Sequence, residues 1–290
     1  MEFSTNFLRS LEQLKIHTRK LYLGTRQGIH QSSRRGFGLE FADFRPYTPG
    51  DDFRAIDWGA YARSDRLFVK EFREEQDINV LVIVDGSASM NYPNQERKFE
   101  TAQFLALSLS YVALAGGDTV SYCLSGIKST PRFRGLRSFA RLKKEIAGLD
   151  PKFNGQQVKF ISHALSQIRT PGKCFYISDL LFDPKEIAQT IDLILGRNFD
   201  LSLIQILAPS EMTLQPDKLQ GPLLDSESGE LSIIFPDASS SAEYAKELNL
   251  HLSEITKLTA QKELRHLLVS SSANLEDIVL KELPRVGLLK

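Results

Sequence analysis

The sequence is poor in sulfur, in tryptophan and in any excess of charge. It has two cysteines in 290 residues, Cys123 and Cys174, both inside apolar runs. A pair at that spacing matches no zinc or redox signature, so two reduced core thiols are expected, as in a reducing compartment. Lys and Arg total 36, and Asp and Glu total 36. No global field therefore draws the chain to nucleic acid, and no acidic surplus marks a solvating tail. No apolar run approaches the ~18 residues that span a bilayer. The first ten residues mix acid and base and lack a signal-peptide core. No membrane segment and a cytoplasmic location are the expectation. The five histidines, His17, His30, His163, His251 and His266, are scattered without ligand spacing. Gly86-Ser87-Ala88-Ser89 is not a nucleophile elbow, and Gly36-Phe37-Gly38 lacks the third glycine of a dinucleotide site. There is no P-loop lysine, so nucleotide hydrolysis would have to come from another chain. What is present, 42% hydrophobic and 25% charged residues, is the composition of a folded globular chain.

Two grammars divide the chain. Leu8, Leu11, Leu14 and Leu21 mark one face of an N-terminal helix. Residues 1–35 carry seven Lys/Arg against Glu2 and Glu12, so this end is locally basic. Residues 23–52 are rich in Gly and Pro, the chemistry of loops and short strands. From residue 78 the pattern becomes apolar, β-branched runs alternating with helical spacing. Strands are expected at 78–84, 118–124, 174–179, 201–207 and 264–269. Helices are expected at 95–115, 137–147, 158–169, 184–195, 242–258 and 275–283. Residues 128–133 read as an edge strand because Pro131 cannot donate to a ladder, and 222–235 as a hairpin. Strand–helix alternation of this kind implies right-handed crossovers. The fold class is therefore α/β: a doubly wound, mostly parallel sheet with an inserted β-hairpin over 77–290, preceded by an N-terminal helix and Gly/Pro-rich extension over 1–76.

In such a sheet, ligands sit at the carboxyl ends of strands near the topological switch. Asp85-Gly86-Ser87-Ala88-Ser89 follows the first strand of the sheet, and Ser178-Asp179 ends another. A carboxylate and two hydroxyls at alternate positions of one loop, joined by a carboxylate from a neighbouring strand, suit a hard cation such as Mg²⁺. Asp85 as an aspartyl nucleophile would need an acid two residues on, where Ser87 stands. A second constellation, Arg45, Asp51, Asp52, Arg54, Asp57, Trp58 and Arg63, interleaves opposite charges with aromatic side chains among turn residues. It reads as an ionic network fixing an irregular segment or as a partner-binding surface. Residues 128–144 hold seven Lys/Arg and no acid, an alternative nucleic-acid patch. Residues 211–243 are acid-rich, so the molecule is electrically polarised in a way that suits oriented protein contact.

The run from Ile78 to Met90 resembles the opening of a von Willebrand factor A domain. There the D-x-S-x-S pattern forms part of a metal-ion-dependent adhesion site, and Asp85, Ser87 and Ser89 match it position by position. Ser178-Asp179 resembles that domain's third loop, whose aspartate stands near the metal. The second loop departs from the pattern. It reads Asn154-Gly155-Gln156-Gln157, with no threonine in the matching place, so the implied Mg²⁺ site is weakened near Gln157.

A longer resemblance covers nearly the whole chain. Arg34-Arg35-Gly36-Phe37-Gly38-Leu39-Glu40-Phe41, Arg45-Pro46-Tyr47-Thr48-Pro49-Gly50-Asp51-Asp52, Arg54-Ala55-Ile56-Asp57-Trp58, Ala62-Arg63 and Val69-Lys70-Glu71-Phe72 occur in order. This series is similar to the signature of the bacterial family called domain of unknown function 58, in which it precedes a von Willebrand A-like domain. The resemblance implies a fold, no settled reaction, and partnership with a MoxR-type AAA+ ATPase that helps assemble or activate other proteins. The expectation is a non-enzymatic interaction module presenting Asp85, Ser87, Ser89 and Asp179. The alternatives are an Mg²⁺-dependent hydrolase at the same loop and a nucleic-acid binder through 128–144.

Overall fold

The computed structural model describes residues 2–19, 39–51, 53, 56–74, 78–92, 96–126, 130–149, 151, 157–213, 222–224, 231–233 and 238–290. They belong to two compact units, Met1–Tyr22 with Ile78–Lys290, and Leu23–Asp77. The first helix therefore falls with the α/β unit, not with the extension expected over 1–76. The reason is apolar. In α1 (Thr5–Glu12), Phe7 and Leu11 are buried. Ser4 caps it by accepting from the Phe7 N–H at 3.1 Å. The helix stops at Glu12 instead of running on to Leu21, because the next residues pair elsewhere. Ile16 bridges Leu289, and Lys15 and Lys290 exchange backbone hydrogen bonds.

In the smaller unit, β1 (Leu39–Pro46) and β2 (Phe68–Glu74) pair antiparallel, with a register shift between Phe41 and Asp43. Between them lies α2 (Trp58–Ser64), capped by the Asp57 carboxylate, which accepts from the Gly59 and Ala60 N–H groups.

The larger unit continues through β3 (Asn79–Val84), α3 (Lys98–Ala115), β4 (Thr119–Leu124), β5 (Arg132–Arg134), α4 (Phe139–Ala147), α5 (Gln157–Ser166), β6 (Gly172–Ser178), α6 (Pro184–Gly196), β7 (Asp200–Leu207), α7 (Pro209–Met212), β8 (Pro222–Leu224), β9 (Leu231–Ile233), α8 (Ala238–Gln261) and β10 (Arg265–Ser270). The chain closes through Leu275–Asp277, a π turn at Ile278–Glu282, and Leu283–Arg285. The main sheet has the order β10-β7-β6-β3-β4-β5. Its pairs are parallel except β4 with the edge strand β5. β8 and β9 form the expected hairpin, whose turn lies outside the described residues.

Every residue of β3 is buried, as a β-branched run covered on both faces requires. The strand period of two splits the core. Val80, Val82, Val84, Phe175 and Ile177 face a cluster shared with α1, α3 and the closing helices. Leu81, Ile83, Cys174, Tyr176 and Leu203 face a second cluster with α5, α6 and α8. Helices thus cover both faces, and the sheet is doubly wound. Both cysteines are free and buried. Close strand approach explains Gly172, where an added Cβ would lie 1.9 Å from the Asn79 carbonyl oxygen.

The chain leaves β3 toward β4 and β5, then returns to β6 on the other side of β3. The loops after β3 and β6 therefore diverge. That divergence is the switch point at which open α/β sheets leave a crevice.

Candidate functional site

β3 is followed directly by Asp85, whose backbone N–H donates to the Ile177 carbonyl at 2.8 Å and extends the β3–β6 pairing by one step. Gly86 lets the loop turn tightly, since a Cβ there would stand 2.5 Å from the Ser125 carbonyl oxygen. The Asp85 carboxylate collects three donors. Oδ1 accepts from the Ser87 N–H at 2.8 Å and from Gln157 Nε2 at 2.6 Å. Oδ2 accepts from Ser178 Oγ at 2.7 Å. Gln157 Oε1 in turn accepts from Ser125 Oγ at 2.8 Å. Ser87 and Ser89 hydroxyls lie 2.9 Å apart and bond to each other. The Ser178–Asp85 bond joins the loops after β3 and β6, and Asp179 follows Ser178 directly.

Asp85 and Asp179 are both buried, and the half-buried Ser89 stands nearer solvent. Burial, reinforced by the charge of Asp179 and opposed by the Ser178 and Ser87 hydrogen bonds, raises the Asp85 carboxyl to about 6. The backbone of Asp179 is also held, its carbonyl accepting from Gln205 Nε2 at 2.8 Å. Gln205 Oε1 is 3.1 Å from His266 Nε2, and His251 Nε2 is 2.6 Å from the Leu180 carbonyl oxygen.

One participant escaped the sequence reading. Lys98, the first residue of α3, is buried and places its ammonium 3.0 Å from Asp179 Oδ2 and against Glu211 Oε1 of α7. Glu211 Oε2 accepts from the Ala208 N–H at 2.7 Å. Burial raises the Glu211 carboxyl and Lys98 opposes that rise. A signal was present: a lysine opens an otherwise almost wholly buried helix, at the end where the macrodipole disfavours cations. Arg97, left-handed at φ 54°, precedes it at the turn into α3.

The donor set does not fit an Mg²⁺ ion as it stands. Mg²⁺ demands near-octahedral oxygens at about 2.0–2.1 Å. Here Asp85 Oδ1 already accepts two donors and Oδ2 one, Gln157 turns its NH₂ toward Asp85, and an ammonium holds Asp179. Among the described residues, no cluster of His, Cys, Asp or Glu is arranged to hold a metal.

The second candidate set lies in the smaller unit. Arg45 and Asp51 form a bidentate pair at 2.6 and 2.7 Å, and Thr48 donates to Asp51 through its N–H and hydroxyl. Arg45 beside it, with Thr48, holds the Asp51 carboxyl well below the usual carboxylate range. Asp57 caps α2. Trp58 is 61% exposed and meets Tyr61 edge to face, and Arg63 is exposed. Asp52 and Arg54 lie outside the described residues. In the basic stretch, Arg132, Arg134, Arg137, Arg141 and Lys144 are exposed, with Arg141 stacked over Phe133.

The family model "Protein of unknown function DUF58" matches residues 43–254, more than half of the chain. The chain belongs to the DUF58 family. It is 24% identical over 259 residues to the uncharacterized protein Rv1480 of Mycobacterium tuberculosis and to the uncharacterized protein Mb1516 of Mycobacterium bovis. Each alignment covers 86% of this chain and 80% of the relative. Among solved structures it is similar to the conserved hypothetical protein BatB from Bacteroides thetaiotaomicron. That match has a TM-score of 0.45 and 15% identity, and covers 72% of this chain and 98% of that one. It is similar as well to an aerotolerance-related membrane protein from Bacteroides fragilis, with a TM-score of 0.42 and 15% identity, covering 72% of this chain and 97% of that one. Among the described residues of this DUF58 chain, no helix is long and apolar enough to cross a membrane.

Proposed function

We propose that this DUF58 chain is a non-catalytic docking module whose von Willebrand A-like carboxyl edge binds a protein. The observation that carries this reading is the make-up of that edge. Loops after three neighbouring strands expose large apolar side chains, Tyr92 after β3, Leu181 after β6 and Met212 after β7. The loops after β3 and β6 also carry the bonded group of Asp85, Ser87, Ser89 and Ser178, with Asp179 beside it. Exposed apolar groups beside polar ones are the composition of a protein interface. Reaction chemistry has less support here. The Asp85 oxygens are engaged by three internal donors, and each serine hydroxyl of the loop is paired with the other instead of with a base.

A MoxR-type AAA+ ATPase is the partner we propose, on the family resemblance. The test mixes the purified chain with the purified MoxR-type ATPase of the same organism and measures co-elution and affinity. Tyr92→Ala/Leu181→Ala should weaken binding about tenfold or more, as expected when large exposed side chains at the centre of an interface are removed. Equal affinity of the wild type and the double variant would reject this face as the docking surface.

A further inference from the structure

A cation already stands at the crevice. Lys98 Nζ sits between carboxylates from two elements, Asp179 after β6 and Glu211 on α7, with no side-chain exposure. Its position is not a product of helix preference. A lysine in the first turn opposes the macrodipole, where an acid is favoured. Burying its charge costs further free energy unless carboxylates meet it. Removing it would leave Asp179 and Glu211, with Asp85 close by, sharing a buried space. We infer that Lys98 is the resident cation of this face, in place of a divalent metal, so the site is assembled without Mg²⁺.

Three features agree. An ammonium offers three donors at hydrogen-bond length, and the 3.0 Å contact to Asp179 is of that length. Gln157, where a hydroxyl would have served a metal, supplies an N–H to Asp85. One of the Ser87 and Ser89 hydroxyls donates to the other. Each is an arrangement that closes the site on protein donors. The inference extends the docking reading in one respect, that docking should survive chelation, but the charge substitution itself is tested separately.

The test titrates Mn²⁺, with Mg²⁺ and Ca²⁺ in parallel, against the full chain. Water-proton relaxation reports Mn²⁺ binding and thermal melting reports stability. Wild type should melt at the same temperature in EDTA and in Mn²⁺. Lys98→Ala leaves a vacancy flanked by carboxylates and should gain a Mn²⁺-dependent rise of about 5 °C or more at a hundredfold excess over its dissociation constant. Lys98→Ala/Asp179→Asn should lose that gain. Lys98→Gln, which keeps volume without charge, serves if the alanine variant does not fold. If no variant folds, the wild-type titration decides alone. Bound Mn²⁺ that Asp85→Ala removes from the wild-type chain overturns the inference, and its absence upholds it. A folded Lys98→Ala or Lys98→Gln chain indifferent to all three ions also overturns it. Absence of ATPase binding in every buffer, with the melting results as expected, would instead fault the docking reading and leave the charge substitution standing.

Discussion

Two lysines are buried at opposite ends of the same sheet, and their surroundings differ in kind. Lys173, near the amino end of β6, lies 3.2 Å from Asp200, 2.8 Å from Ser202 Oγ and over the Phe175 ring. Asp200 also accepts from the Arg19 N–H at 2.8 Å, so this pair fastens the N-terminal arm to the sheet. Burial lowers the Lys173 ammonium to about 8, with Asp200 opposing. At the other end, Lys98 serves two carboxylates, and a third, Asp85, titrates high beside them. The first arrangement is one acid with several cationic and neutral partners, which a fold explains by itself. The second is one cation under-neutralising a group of acids. Buried acid in excess lowers stability, and such strain collects at functional sites.

The largest expected effect separates the two lysines. Lys98→Met should cost about 3–5 kcal/mol, the range for breaking a buried pair by removing one partner. Asp179→Asn added to it should restore part of the loss. Lys173→Met should cost less, because Asp200 keeps Arg19. Urea unfolding of the four chains measures this. Equal losses at the two lysines, with no recovery from Asp179→Asn, would erase the distinction between the two ends.

Asp85 gives the next effect, on pH dependence. Its folded-state carboxyl is raised from 3.8 to about 6, mainly by burial. Its contribution to stability is fully present below the unfolded value and is lost as pH rises through about 6. A shift of this size corresponds to something on the order of 2–3 kcal/mol. Asp85→Asn should flatten the melting curve against pH between about 4 and 6, leaving the profile set by the other groups. An unchanged profile would show that Asp85 is not the acid that titrates.

How much of this could be read from the chain depends on sequence distance. The strands of the main sheet were legible because burial on both faces imposes a continuous apolar run, as in Asn79–Val84. The Asp85 loop was legible because its donors are local, Ser87 two positions on. Lys98 was not, since its partners lie 81 and 113 positions away. Only the tertiary fold brings α7 over the start of α3. The placement of α1 with the larger unit was hidden likewise, because it depends on residues 15–17 meeting 288–290.

The smallest effect comes from the ion pair that sequence spacing showed most directly. Arg45 and Asp51 are six positions apart in a turn, and their side chains remain partly in solvent. Water screens such a pair, and holding two side chains in one geometry costs entropy, so the net gain is slight. Asp51 differs from Asp85 in every relevant way. Its carboxyl is held low by a guanidinium and local donors, where that of Asp85 is driven up by burial. Asp51→Asn should therefore leave the main melting transition within about 1 °C of wild type. It should still loosen the turn, because Thr48 loses an ionised acceptor for its N–H. Hydrogen exchange at the Thr48 amide should quicken while amides of β3 keep their protection. Faster exchange throughout β3 would mean that this turn supports the core as the buried lysines do, and the contrast between local and buried charge would fail.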